Sequence, residues 1–132
     1  MLDLDLLPAE YAVCRLPAGS SLPAEYLAGP TAGVVSVTWT EDEVSVICRT
    51  DRVPPGAKVE TPWRCLRVVG PLDLALTGVL ASLAGPLAEA RVNIVAFSTF
   101  DTDYLLVPTV RLSEALATLT GSGHRVAGAA VP

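Results

Sequence analysis

Apolar and polar positions alternate in blocks along the chain, and the period of each block predicts its structure. Glu10 to Leu16 reads as a strand ended by Pro17-Ala18-Gly19. Ser20 or Ser21 then caps a short helix, with Pro23 in its first turn and a stop near Gly29-Pro30. Gly33 to Trp39 alternates in the strand manner, Glu41-Asp42 makes a turn, and Glu43 to Arg49 returns. Val44, Val46 and Cys48 fall on one face of that returning strand. Pro54-Pro55-Gly56 breaks the pattern.

A second set of elements follows. Trp63 to Val69 is a strand running into Gly70-Pro71. Leu76, Val79, Leu80, Leu83 and Leu87 recur at spacings of three and four, so a helix is expected from Asp73 or Leu74, with Asp73 as its N-cap. Val92 to Phe97 and Tyr104 to Val107 are strands on either side of an acidic, hydroxyl-rich turn, Ser98 to Asp103. A helix from about Leu112 to Leu119 and a short strand from His124 to Ala127 complete the order β-α-β-β-α-β. The class is therefore α+β, with the split ferredoxin-like order in the second half. The first half echoes it weakly, which suggests two modules in tandem: residues 1–53 as an incomplete first module, 54–62 as linker and 63–132 as the second.

Two segments carry the candidate chemistry. Gly70-Pro71-Leu72-Asp73 with Leu76-Thr77-Gly78, and Ser98 to Val107, resemble the small bacterial ACT-domain proteins and the C-terminal ACT modules of the CASTOR arginine sensors. The resemblance covers about residues 8–128. It implies tandem ACT-like modules that bind amino acids at a module or subunit interface, without catalysis. By position it implies ligand contacts at Asp73, Leu76, Thr77, Gly78, Thr99, Phe100 and Asp103, with Asp103 pairing the ligand ammonium. Where the arginine sensors use a glutamate near the helix start, this chain has Leu76, so the resemblance does not carry arginine itself across.

Composition narrows the alternatives. Of 132 residues, 51% are hydrophobic and 17% charged, enough for a core and rich for a monomer, so a homodimer or larger homo-oligomer is expected. The net charge of −5 and a single lysine, Lys58, leave no basic cluster for a phosphate backbone, which argues against nucleic acid. Cys14, Cys48 and Cys65 are widely spaced inside apolar patterns and read as buried reduced thiols rather than metal ligands. His124 has no nucleophile–base pattern around it and reads as a surface or turn residue; Trp39 and Trp63 read as core or interface residues. There is no secretory pattern, and the apolar stretch from Leu74 to Ala88 is too short to span a bilayer. The expectation is a soluble, cytoplasmic, non-enzymatic protein without cofactor, binding an amino acid or related metabolite. The competing reading is a structural module that dimerises through its sheets without ligand.

Overall fold

A computed structural model describes residues 1–26, 29 and 32–128. Its strands are β1 (Asp3–Leu6), β2 (Tyr11–Pro17), β3 (Ser36–Trp39), β4 (Glu43–Arg49), β5 (Lys58–Val68), β6 (Val95–Ser98), β7 (Asp103–Pro108) and β8 (Arg125–Gly128). Two α-helices, α1 (Val79–Glu89) and α2 (Leu112–Gly121), lie between β5 and β6 and between β7 and β8. The chain divides into two compact units, Met1–Pro8 with Trp63–Pro132, and Ala9–Pro62.

In the first unit β5, α1, β6, β7, α2 and β8 follow the β-α-β-β-α-β order of the ferredoxin-like fold. The pairing is β6–β7–β5–β1–β8, antiparallel except for the parallel β1–β8 pair. β1 was not expected. The alternation Asp3-Leu4-Asp5-Leu6 buries both leucines and leaves the aspartates for Arg125 and Arg67, which they meet at 2.6 Å in each case. The residues at the start of the chain therefore belong with the second half of the sequence, and β5 begins inside the segment 54–62 read as linker.

The core of this unit sits between one face of the sheet and the two helices. Leu4, Leu66, Val68, Leu105 and Val107 from the strands meet Leu83 and Leu87 of α1 and Leu112, Ala115 and Leu119 of α2. Each fully buried leucine contributes roughly 1.5–3 kcal/mol relative to exposure. Leu83 and Leu87 were expected on the buried side of α1, but the helix begins later than its apolar spacing suggested. Gly78, at φ +81°, turns the chain into it, and Leu76 lies outside the helix and is exposed. Asp73 is accordingly not the N-cap. Its Oδ1 accepts from Ala75 N at 2.8 Å, closing a local turn.

α1 runs through Gly85 and Pro86. Proline has no N–H, so the carbonyl four residues earlier, at Ser82, loses its helical partner. The ring of His124 lies 3.1 Å from that carbonyl through Nε2, while its Nδ1 accepts from Leu2 N at 3.1 Å. With Nδ1 the acceptor, the ring hydrogen that faces the Ser82 carbonyl sits on Nε2. His124 is thus a buried structural residue, not the surface or turn residue expected. Arg111 acts similarly at the far end of α1, donating to the carbonyls of Ala90 and Arg91.

In the second unit β4 pairs with β2 and β3, both antiparallel. Ala12, Cys14 and Leu16 of β2 pack with Val44, Val46 and Cys48 of β4, the face expected from the alternation. The described part of the predicted helix is one 3-10 turn, Ala24–Tyr26, fixed by the Tyr26 hydroxyl donating to Arg52 O; its predicted stop at Pro30 lies outside the described residues. Trp39 is 57% exposed and so is not a core residue, whereas Trp63 is half-buried. All three cysteines are free and buried.

Candidate functional site

The two segments singled out in the sequence meet in the first unit. The chain leaving β5 at Gly70-Pro71 passes beneath the turn between β6 and β7. Leu72 N donates to Asp101 O at 2.7 Å, and the buried Thr102 hydroxyl donates to Val68 O at 2.6 Å. Gly70 is needed for this approach, since a Cβ there would stand 3.0 Å from Asp101 O and 3.2 Å from Leu72 N. The turn is closed internally by Thr99 N donating to Thr102 O at 2.9 Å. Nothing in the sequence marks Thr102 as the anchor, because its neighbours are equally rich in hydroxyls.

Between these segments lies a cleft of about 150 Å³. Asp73, Leu74, Leu76 and Val79 line one side, and the turn from Ser98 to Asp103 lines the other. Of the residues implied as ligand contacts, Asp73, Leu76, Thr99, Phe100 and Asp103 border this space. Thr77 and Gly78 do not; they lie in the chain leading into α1. Asp101, which is not among the implied contacts, also lines the cleft.

The cleft has a definite chemical character. Every titratable residue lining it is an aspartate: Asp73, Asp101 and Asp103. Asp103 Oδ1 accepts from the Ser98 hydroxyl at 2.7 Å, and that single bond leaves acceptor capacity on its carboxylate. Val79 opens α1, whose first amides have no carbonyl ahead of them and favour negative charge. The rim is apolar and open: Phe100 is 80% exposed, Leu74 71% and Leu76 54%. Exposed apolar side chains gathered around a cleft mark a contact surface more often than chance scatter does.

Among the described residues, the cleft included, no group of three or more His, Cys, Asp or Glu is placed to hold a metal ion. Burial pushes the Cys65 thiol up to about 12, and burial together with the neighbouring Cys14 does the same for Cys48, so none of these is an activated nucleophile. No described helix is long and apolar enough to cross a membrane.

Comparison with known proteins bears on the fold. Residues 58–121 match the ACT domain family model, and a second model, described as an N-terminal domain, matches residues 9–56. The protein Atu0741 from Agobacterium tumefaciens, known from an X-ray crystal structure, is 33% identical, with 98% of this chain and 95% of that one covered at a TM-score of 0.86. The regulatory subunit of aspartate kinase from Thermus flavus shares the fold, with a TM-score of 0.62 at 11% identity over 90% of this chain and 95% of its own. The human cytosolic arginine sensor for mTORC1 subunit 1 is 45% identical over 47 residues, which span 35% of this chain and 14% of the sensor. With its ACT-domain match and a relative aligned along nearly its whole length, the chain belongs to the ACT-domain family.

Proposed function

We propose that this protein is a non-catalytic, ligand-binding regulatory module whose cleft takes a free amino acid or a closely related metabolite. The observation that carries the reading is the meeting of the 72–79 and 98–103 segments around one concave space lined by aspartates and opening at a helix N-terminus. A ligand ammonium is held by Asp103, and its carboxylate faces the first amides of α1. Asp73, Leu76, Thr99 and Phe100 complete the proposed contact set, while Thr77 and Gly78 lie outside the cleft in the chain leading into α1. The exposed rim of Phe100, Leu74 and Leu76 supports closure of the site by a further surface, as in a homo-oligomer. Local similarity to a cytosolic arginine sensor supports an amino acid as the class of ligand.

A thermal-shift screen of the twenty amino acids tests this. A ligand at about 100 times its Kd adds roughly 2.7 kcal/mol to stability, a shift easily seen. The purely structural reading predicts no shift with any of them.

A further inference from the structure

The second unit carries its own concave surface, unrelated to the cleft above. A notch of about 500 Å³ opens between the end of β2, the turn entering β4 and the turn entering β5, and a shallower cleft of about 240 Å³ borders three of the same residues. Arg15 and Lys58 line both spaces, and Lys58 is the chain's single lysine. Glu43 lines both as well, Asp42 the notch and Glu60 the shallower part.

These five side chains carry both signs of charge, yet none pairs with another. The ion pairs among the described residues are Arg49–Asp51, Arg67–Asp5, Arg111–Glu114 and Arg125–Asp3. Strand register sets Arg15 opposite Ser45 and Glu43 opposite Pro17, so Arg15 and Glu43 lie diagonally on one face rather than directly across from each other. The backbone beneath the acids is fixed, because the Thr40 hydroxyl accepts from Asp42 N and Glu43 N at 3.1 and 3.0 Å. Two cations and three carboxylates thus line these two adjoining spaces, and no ion pair joins them. A simple anion or a simple cation meets repulsion from half of such a lining. A molecule with both charges, set a few bonds apart, meets a partner at each end.

We propose that this notch is a second binding site, for a small zwitterion whose carboxylate is taken by Arg15 and Lys58 and whose ammonium is taken by Asp42 and Glu43. The test is a titration followed by backbone amide NMR shifts, with γ-aminobutyrate as the zwitterion and with propionate and propylamine as single-charge probes. The expected result is saturable shifts at Arg15, Ser45 and Lys58 with γ-aminobutyrate and none with either single-charge probe. Arg15→Gln and Lys58→Gln each weaken that binding at least tenfold, and Asp103→Asn leaves it unchanged. Absence of saturable shifts at these amides overturns the proposal. So do equal shifts with propionate or propylamine, or full binding in the Arg15→Gln and Lys58→Gln variants with native-like spectra. Amides of the 98–103 turn report the first cleft in the same spectra, so the two sites succeed or fail separately.

Discussion

His124 Nε2 donates to the carbonyl of Ser82, the group that Pro86 leaves without a helical partner. One residue at the entrance to β8 thereby repairs the hydrogen-bond ladder of α1, and through Nδ1 it also holds Leu2. His124→Ala orphans both groups and should cost roughly 2–4 kcal/mol. Pro86→Ala returns an amide to Ser82, so His124→Ala should cost about 1 kcal/mol less in that background. Urea unfolding of the four proteins in the cycle measures the coupling, and strict additivity would show that the histidine does not serve that carbonyl.

Thr102 should matter more to the cleft than its unremarkable sequence context suggests. Its hydroxyl ties the turn to the end of β5 through Val68 O. Thr102→Val keeps the volume and removes the donor, with an expected loss of about 1–3 kcal/mol. Thr102→Ser should retain most of that stability. Denaturant midpoints of the two variants check this.

Stability should fall in mild base. The Cys65 thiol, buried among apolar groups, is pushed up to about 12 from an ordinary value of 9.0. The folded protein holds this proton where the unfolded chain releases it. The contribution is therefore complete below pH 9 and is lost as pH rises from there toward 12. At pH 10 the loss from this one thiol is roughly 1.4 kcal/mol. Unfolding midpoints from pH 7 to 10.5 should decline less steeply in Cys65→Ala than in the native protein, whatever its absolute stability.

Asp103 and Asp101 should differ in the binding of the best amino acid from the screen. Asp103→Asn removes the charge proposed to hold the ammonium and should weaken binding roughly tenfold to a hundredfold. Asp101→Asn should cost far less, since asparagine serves turns equally well. Calorimetric titration of folded variants decides it, and equal losses at the two positions would place the ammonium elsewhere.

Elements with sustained periodicity were legible in the sequence. The range expected for α2, about Leu112 to Leu119, held to within two residues, the alternation of β4 led directly to its buried face, and the acidic turn announced itself by composition. The start of α1 was not legible. Leu76 continues the helical spacing of Leu80, Leu83 and Leu87, and only the left-handed backbone at Gly78 separates it from them. Asp73 misled for the same reason, because an aspartate that closes a turn and one that caps a helix look identical in sequence. β1 was missed because four residues give too little pattern, and its partners are supplied by distant parts of the chain. Burial of His124 and Thr102 goes with long-range hydrogen bonds, which leave no local signal.

The insertion of β1 between β5 and β8 has a kinetic consequence. Leu2 and His124, which meet across this join, are 122 positions apart in the chain. Closing so long a loop carries an entropic cost before any of its contacts form, and topologies of this kind fold slowly. β1 has no strand partner until β5 has been synthesised, and its second partner, β8, comes last of all. Until then Leu4 and Leu6 have no core to enter, and a nascent chain halted before β8 lacks the parallel neighbour of β1.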